Sequence, residues 1–258
     1  MKPLLAAFAA ALLFPQAVAA ECAASSPATT TALVELYTSE GCSSCPPADR
    51  WLSSLKSRGY TPERVVPIEL HVDYWDYIGW KDPYAQARFS SRQRKLAQLT
   101  HGAFVYTPQV LLQGRDFRRW DSSVFDAEVK RINAQPARAR IALALHPGGK
   151  DAFEVDVRAQ VVDAAQRAEA ALYLGTYANR LRSDVRAGEN GGRTLKHDFV
   201  VLEWLGPIGF DGRTELAERR RIALLPEAVP ADSGVVAFVQ NRASAEVLQA
   251  LMLPACPG

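Results

Sequence analysis

The chain has no nucleotide-phosphate fingerprint, no haem attachment motif and, after its first 20 residues, no apolar run long enough to cross a membrane. A membrane span takes roughly 20 apolar residues, so no membrane anchor is expected in the rest of the chain. Without either motif, no tightly bound organic cofactor is expected. The net charge of +2 shows no strong bias, so nucleic acid is not an expected partner.

The first 20 residues have the pattern of a secretory signal peptide. Lys2 precedes an apolar stretch over residues 4–14, and small residues follow Pro15 at positions 17–20. Acylation of Cys22 as a lipoprotein is the alternative, and the preceding Glu21 does not suit that processing. We therefore expect a periplasmic or secreted protein.

The full chain has 258 residues, and the part that follows the signal peptide is longer than a typical domain of roughly 100–150 residues. We predict a thioredoxin-like domain over residues 30–135 and a β-rich, sandwich-like domain over 136–256. The boundary near 135–136 has no low-complexity linker, and the oligomeric state stays open.

Strands and helices alternate in the first of these two regions. Apolar and β-branched runs predict strands, and 3.6-residue periodicity predicts helices. We expect strands at 31–38, 65–72 and 106–112, and helices at 46–59, 82–99 and 121–133. This order predicts an α/β fold in which helices flank a central mixed sheet.

The pattern changes after residue 136, where short apolar segments are separated by turn residues. Several short strands at such spacing are typical of an antiparallel sandwich. The segments lie at 140–145, 153–162, 170–177, 194–205, 214–224 and 235–239, with a turn at 190–192.

Four cysteines form two pairs with different spacing. Cys22 and Cys256 lie near opposite ends of the mature chain, and we predict a structural disulfide between them, with a free or intermolecular thiol as the alternative. Cys42 and Cys45 form a C-x-x-C motif between a predicted strand and a predicted helix, which is typical of a redox-active pair in an exported protein. A static local disulfide is the alternative interpretation.

The position of Cys42 at a helix start favours reactivity. Unpaired N–H groups and the helix dipole lower the pKa of a thiol there, and the thiolate is the nucleophile. Cys45 is then spaced to resolve a mixed disulfide and release the partner. We predict that Cys42 attacks and that Cys45 resolves.

The segments around these cysteines resemble a known superfamily. Residues 34–37 followed by Cys42-Ser-Ser-Cys45 are similar to the active-site entry of the thioredoxin superfamily, and Thr107-Pro108 is similar to its cis-proline. The resemblance implies that Pro108 lies beside the dithiol and that Thr107 helps to bind a partner's backbone. An ordinary trans proline that opens a strand is the alternative.

Four longer segments resemble a more specific family. ELYTSEGCSSCPPAD, HVDYWDYIGWKDP, YTPQV and GENGGRTLKHDFVV are similar to the secreted thioredoxin-like family called domain of unknown function 1223. The resemblance implies a thioredoxin-like fold and export, and it implies no particular reaction.

Several polar and aromatic residues are candidates for supporting roles. Glu35, within an apolar strand, is a candidate proton relay to Cys45 if buried, or a strand-edge residue in water. His71 and Asp73 end the second strand, at the sheet edge where ligands gather. Trp75 belongs to an aromatic run that forms either a recognition surface or a loop packed on the second domain.

These residues support three functional hypotheses. The first is a thiol–disulfide oxidoreductase that acts on protein or small-molecule thiols and disulfides. The second is a copper-binding or soft-metal delivery module that uses Cys42, Cys45 and His71. The third is a binding protein in which the C-x-x-C motif forms a purely structural disulfide. The first needs no cofactor, and it is our principal prediction.

Overall fold

Continuous and alternating apolar runs form most of the regular structure in this computed structural model, which describes residues 22–149, 152–224 and 228–256. In this part of the chain, 42% of residues lie in strands and 20% in helices. The predicted signal peptide, residues 1–20, lies outside the described residues. None of the described helices has the length and apolar character needed to cross a membrane.

The described residues form fourteen strands, three α-helices and three short 3-10 helices. The strands are β1 (Ala23–Ser25), β2 (Ala32–Thr38), β3 (Val65–His71), β4 (Gln109–Leu112), β5 (Arg115–Asp116), β6 (Ala139–Pro147), β7 (Ala152–Val161), β8 (Ala170–Ala178), β9 (Leu181–Asp184), β10 (Thr194–His197), β11 (Val200–Gly209), β12 (Glu215–Ala223), β13 (Ser233–Asn241) and β14 (Val247–Pro254). The α-helices are α1 (Pro46–Ser54), α2 (Ala87–Leu99) and α3 (Ser123–Asn133). Short 3-10 helices span Asp73–Ile78, Ala164–Gln166 and Pro230–Asp232.

Eight strands form the largest sheet, in the order β14-β13-β8-β11-β3-β2-β4-β5. Strand β3 is parallel to both β2 and β11, and the other neighbours are antiparallel. A second sheet has the order β1-β6-β7-β12, and β9 pairs with β10 alone.

The contact between β3 and β11 joins the two halves of the chain. Val200 pairs with Glu69, and the Glu69 N–H donates to the Phe199 carbonyl at 2.9 Å. All seven residues of β3 are buried. A strand buried in this way cannot stay at a sheet edge, because its unpaired N–H and C=O groups would lack partners.

Helices and the second sheet cover different parts of the large sheet. Helices α1 and α3 pack on the face that carries Val34 and Leu36, whereas α2 packs on the opposite face, with Leu33 and Tyr37. The second sheet packs against β8, β11, β13 and β14 and buries an apolar core between the sheets. On one face of the large sheet, helices thus cover one half and the second sheet covers the other, whereas α2 contacts both halves on the opposite face.

The predicted fold class is wrong. We expected a helix-flanked α/β thioredoxin-like domain followed by a mostly β, sandwich-like domain. The protein is mostly β, and strands from both halves of the chain share one eight-stranded sheet. Periodicity indicates whether a segment is a strand, but it does not indicate which strands pair. The prediction failed because strands of the second half of the chain pair into the sheet of the first half.

The predicted disulfide between the chain ends is present. Cys22, which precedes β1, is bonded to Cys256, which follows β14. The Cys256 N–H also donates to Cys22 Sγ, at 3.2 Å. The bond therefore links the four-stranded sheet to the last strand of the large sheet.

A buried ion pair joins α2 to the large sheet. Arg92 of α2 donates to Glu35 Oε2 at 2.8 Å and Oε1 at 3.0 Å, and both side chains are at least nine-tenths buried. The guanidinium carbon also lies 4.9–5.2 Å from the ring centres of three aromatic residues on β8, β11 and β13. Burial lowers the pKa of Arg92, but the Glu35 carboxylate outweighs this effect and raises it. Arg92 is therefore a charged anchor for both halves of the sheet.

We predict that Arg92→Met destabilises the protein by about 3–5 kcal/mol, because it leaves the Glu35 carboxylate buried without its cation. The double variant Glu35→Gln/Arg92→Met is expected to recover part of this loss, since it removes the unpaired charge. Urea denaturation of the parent, both single variants and the double variant measures the coupling. Exposed Lys95→Met on the same helix is the control, and an equally large loss there would contradict the interpretation.

Candidate functional site

Cys42 and Cys45 lie where β2 passes into α1. Cys45 is the N-cap of α1, and Pro46 and Pro47 form its first turn, where a missing N–H costs no helical hydrogen bond. The two cysteines are joined in a disulfide with Cα atoms 5.5 Å apart. The structure thus confirms the predicted strand, dithiol and helix order.

Both cysteines are buried, while the two residues between them are not. Cys42 is 1% exposed and Cys45 0%, whereas Ser43 and Ser44 are exposed. Ser44 Oγ lies 3.3 Å from Cys42 Sγ. A partner that attacks this disulfide must therefore approach past the serine spacer.

A turn from the second half of the chain contacts the dithiol segment. The Asn190 amide donates to the carbonyls of Glu40 and Cys42, at 2.9 Å each, and Asn190 is fully buried. The adjacent Glu189 carboxylate accepts a hydrogen bond from the Ser43 N–H at 2.9 Å. Hydrogen bonds from Ser43 lower the pKa of Glu189. A negative charge therefore lies beside the first residue after Cys42.

Trp75 links the dithiol turn to the predicted cis-proline. Its indole Nε1 donates to Thr107 Oγ1 at 2.7 Å, and the Thr107–Pro108 peptide bond is cis, as the resemblance implied. A Cβ added at Gly41 would lie 3.3 Å from Trp75 Cβ, so only glycine fits there without displacing the tryptophan. Trp75 therefore lies against the dithiol turn and Thr107 lies against Trp75, and their role in binding a partner stays a prediction.

Most of the aromatic run is anchored by hydrogen bonds. Tyr74 donates to Gln93 at 3.1 Å, and Trp80 Nε1 donates to Glu40 at 2.8 Å. Tyr77, in contrast, is 82% exposed. Most of the run is thus held against other parts of the protein, whereas Tyr77 extends into solvent. Asp73 lies apart from the dithiol and accepts a hydrogen bond from Ser90 of α2.

A cluster of charged side chains is buried next to the dithiol turn. His71 Nδ1 lies 2.7 Å from Asp82 Oδ2, and His71 Nε2 lies 3.0 Å from Glu69 Oε1. His197 of β10 approaches the same Glu69 oxygen with Nδ1, at 2.7 Å, and faces Glu40 Oε1 with Nε2, at 3.3 Å. All five residues are at most 2% exposed.

The carboxylates dominate the electrostatics of this cluster. Burial lowers the pKa of both histidines, but Asp82 raises the pKa of His71 well above its usual value, and Glu69 raises that of His197 to about 10. For Glu69 and Asp82 burial raises the pKa, yet His197 and His71 respectively outweigh it, and both pKa values are lowered. The cluster therefore favours cationic imidazoles and ionised Glu69 and Asp82.

Asp49 is a buried acid one helical turn after Cys45. Its Oδ1 accepts a hydrogen bond from Thr38 at 2.7 Å, and its N–H donates to the Cys45 carbonyl. Residues four apart on a helix lie on one face, so the Asp49 and Cys45 side chains share a side of α1. Burial, reinforced by the negative charge of Glu69, raises the pKa of Asp49 to about 7. That pKa suits a group that exchanges protons at neutral pH.

Glu35, the predicted proton relay, lies elsewhere. Side chains alternate along β2, so Glu35 faces away from Thr38 and α1, toward Arg92. Tyr37 also donates to its Oε2, at 2.9 Å. The alternative of a strand-edge glutamate in water is wrong, since Glu35 is 0% exposed. The structure thus offers Asp49, which the sequence did not single out, as a buried acid on the same face of α1 as Cys45.

His71 is not placed as the soft-metal hypothesis requires. Both of its ring nitrogens face carboxylates, those of Asp82 and Glu69, and Cys42 and Cys45 are bonded to each other. A site formed by two thiolates and His71 gains no support from this geometry, and it stays a prediction.

Several residues of the site were missed because their partners are distant in sequence. His197 contacts Glu69, which lies 128 residues away in the sequence. Glu69 and His71 are two polar side chains on one face of an otherwise apolar strand, a pattern that could have indicated a buried polar cluster. No comparable signal exists for Glu189 and Asn190, which lie in a turn.

We predict that Asp49→Asn changes the pH dependence of stability. Folded Asp49 keeps its proton up to about pH 7, whereas an unfolded aspartate loses it near its usual pKa of 3.8. The folded state thus binds more protons in this window, and the contribution of Asp49 to stability falls as the pH rises through it. Relative to the parent, the asparagine variant should gain stability from pH 4 to 7, by at most about 1.4 kcal/mol per pH unit.

Urea denaturation of both proteins across this range measures the difference. Asp121→Asn, at an exposed position, is the matched control and is expected to give a flat difference. A flat difference for Asp49→Asn as well would show that the Asp49 pKa is not raised in the folded protein.

We also predict that Glu189→Gln makes Cys42 more reactive in the reduced protein. The carboxylate beside Ser43 disfavours a thiolate at the neighbouring cysteine, so its removal lowers the Cys42 pKa. The rate of Cys42 alkylation at pH 6 should rise roughly twofold, and the effect should shrink in 1 M salt. Asp211→Asn, exposed and outside the site, is the control; equal rates for Glu189→Gln and the parent at low salt would refute the prediction.

Comparisons with known proteins extend these observations. A crystal structure of a protein from Agrobacterium tumefaciens has 22% identity and a TM-score of 0.63, covering 89% of this chain and 96% of that chain. HBP35 of Porphyromonas gingivalis has 16% identity and a TM-score of 0.65, covering 89% of this chain and 76% of that chain. At such identities the likeness concerns the fold alone. No curated protein sequence matches this chain. The family described as "Protein of unknown function (DUF1223)" matches residues 33–240, and the chain belongs to this family.

Proposed function

We propose that this protein is an exported thiol–disulfide oxidoreductase that exchanges disulfides with protein or small-molecule thiols through Cys42 and Cys45. One observation carries the proposal: the Cys42–Cys45 disulfide lies at the start of α1, one helical turn from a buried carboxyl group whose pKa is about 7. The likeness of this segment to the active-site entry of the thioredoxin superfamily supports the same chemistry.

The exchange takes place in two steps. In the reduced protein, the Cys42 thiolate attacks one sulfur of a substrate disulfide, forms a mixed disulfide and releases the other sulfur as a thiolate. The Cys45 thiolate then attacks Cys42 Sγ, which breaks the mixed disulfide and re-forms the Cys42–Cys45 bond. Two electrons pass from the dithiol to the substrate, which leaves as two thiols after protonation. The reverse sequence oxidises a substrate dithiol.

Asp49 is the proposed proton acceptor for Cys45. The resolving thiol must lose its proton before it attacks, and a carboxylate with a pKa near 7 accepts a proton readily at neutral pH. The group is buried, so the proton passes without bulk water as the immediate acceptor. Thr38, which donates to Asp49, orients the carboxylate.

Three features surround the dithiol and restrict its partners. The 188–192 turn holds the carbonyl of Cys42 through Asn190, Glu189 places a negative charge at Ser43, and Trp75, which donates to Thr107, lies against Gly41. Exposed Tyr77 extends from the same aromatic loop and is a contact for an apolar group of a partner. Because both sulfurs are buried, a flexible substrate that enters past Ser43 and Ser44 is favoured over a rigid one.

Two disulfides within the described residues support a location in the periplasm or outside the cell. Such bonds persist in oxidising compartments and are rare in the cytosol of most organisms. The Cys22–Cys256 bond serves a structural role in this proposal, whereas the Cys42–Cys45 bond is the exchanging one.

The reduction potential of the Cys42–Cys45 pair tests the proposal. We expect a value between about −270 and −120 mV, the range of exchanging dithiols, in glutathione buffers with alkylation mass shifts as the readout. Within this range, the value also decides whether the protein reduces or oxidises its partners. A potential below about −300 mV would identify a structural disulfide and refute the proposal.

A matched pair of variants separates the two cysteines. Cys45→Ser should accumulate a mixed disulfide with oxidised glutathione at Cys42, because no thiol remains to resolve it. Cys42→Ser should form much less of this adduct, since it lacks the proposed attacking thiol. Equal labelling of the two variants would contradict the assigned roles, and no labelling of either would contradict exchange altogether.

A further inference from the structure

Two histidines and a glutamate converge in the buried cluster. Ligand atoms of Glu69, His71 and His197 all lie within 4.8 Å of one another, and the three side chains are at most 1% exposed. Glu69 and His71 come from β3 and His197 from β10, so two strands place them. The nearest pairs are His71 Nε2 and His197 Nδ1, at 3.0 and 2.7 Å from Glu69 Oε1.

Each histidine faces a second carboxylate with the ring nitrogen that does not face Glu69. Asp82 faces His71 Nδ1, and Glu40 faces His197 Nε2, so the other nitrogen of each ring points to Glu69. A carboxylate that accepts the distal N–H is the usual partner of a metal-binding histidine, because it orients the ring and increases its basicity. Here the arrangement occurs twice around one carboxylate.

The cluster has polar atoms that the protein does not satisfy. Among the described residues, Glu69 Oε2, Glu40 Oε1 and His197 Nε2 are buried without a hydrogen-bond partner. The last two lie 3.3 Å apart but lack hydrogen-bond geometry. A buried polar group without a partner is costly, and a cation that binds Glu69 and turns His197 toward Glu40 would satisfy all three.

The charge of the cluster can accommodate a divalent cation. Two imidazoles face three carboxyl groups, and each ring directs one nitrogen at Glu69. A divalent ion that displaces one proton from each ring supplies the same charge of +2, so the exchange leaves the net charge of the buried cluster unchanged.

We propose that Glu69, His71 and His197 form a buried binding site for a divalent transition-metal ion, with Glu40 and Asp82 as the carboxylates that orient the two histidines. Two imidazoles and one carboxylate match the ligand preference of Zn²⁺, and both Glu69 oxygens are available to it. Metal bonds of about 2.0–2.2 Å hold neighbouring ligand atoms about 3.4 Å apart. The two histidine nitrogens, at 3.0 and 2.7 Å from Glu69 Oε1, must therefore move away from that oxygen by about 0.4 and 0.7 Å, and ligand atoms up to 4.8 Å apart must come closer together.

None of the cysteines is a ligand of this site. It therefore differs from the soft-metal site of Cys42, Cys45 and His71, and it does not depend on the proposed oxidoreductase activity. Glu40 is two residues before Cys42, and its backbone N–H donates to Asp82 at 2.8 Å. A bound ion would thereby hold the dithiol turn in place, as a structural centre next to a redox pair.

Zinc content of a thiol-free protein tests the proposal. Because the cluster is fully buried, metal is removed and introduced while the protein is unfolded. The Cys42→Ser/Cys45→Ser variant is therefore unfolded with a chelator and refolded with or without Zn²⁺. Gel filtration then removes unbound metal. We expect about one zinc per chain by elemental analysis and a higher unfolding temperature for the zinc-refolded protein. Failure of thiol–disulfide exchange in the parent would not affect this result.

Matched variants in the same thiol-free background identify the ligands. Glu69→Gln and His71→Gln should lose the zinc, and Glu40→Gln should weaken zinc binding about 10- to 100-fold while the fold is kept. His146→Gln is the control, since His146 pairs with Asp156 on the other sheet. If a ligand variant does not fold, Co²⁺ in the thiol-free parent should give the visible absorption of a nitrogen and oxygen site of low coordination number.

Two results would overturn the proposal. One is that the thiol-free parent retains no zinc and no Co²⁺ absorption after refolding, which would leave protons as the only cations of the cluster. The other is that Glu69→Gln or His71→Gln folds and binds as much zinc as His146→Gln.

Discussion

The short parallel pairing between β3 and β11 determines what surrounds the dithiol. It places Val200 opposite Glu69, and the preceding residues of the chain then carry His197 to the same glutamate. The turn that precedes β10 reaches the dithiol segment, where Asn190 binds the carbonyls on both sides of Gly41. Without this pairing, β3 would be an unprotected edge and the histidine–carboxylate cluster would lack His197.

Burial of the charged cluster is what makes its electrostatics strong. In water, a glutamate between two histidines would shift their pKa values only slightly, because the solvent screens the charges. Inside the protein, the carboxylates raise the pKa of His197 to about 10, and the charge of Glu69 contributes to the raised pKa of Asp49. The cluster and the acid next to Cys45 are thus electrostatically linked, although no hydrogen bond joins them directly.

The two faces of β2 separate structural from chemical roles. On one face, Glu35 accepts hydrogen bonds from Tyr37 and Arg92, and aromatic side chains of the second half of the chain surround Arg92. On the other, Thr38 binds Asp49 beneath the start of α1. A lone acid in an apolar strand is conspicuous, which made Glu35 the predicted proton relay. The alternation of side chains directs it away from α1, and only the paired arginine explains why it is buried.

Local patterns determined much of this protein. The apolar runs of β2 and β3, the helix that begins at Pro46, the position of Cys42 and Cys45 before it and the pairing of Cys22 with Cys256 all follow from neighbouring residues or from cysteine number. The tertiary structure alone decided that β11 lies beside β3, that His197 contacts Glu69, and that Asn190 and Glu189 bind the dithiol turn. The physical reason is that periodicity and capping report interactions between residues close in sequence. Sheet order and buried charge pairing depend on groups more than a hundred residues apart, whose meeting is set by the packing of the whole chain.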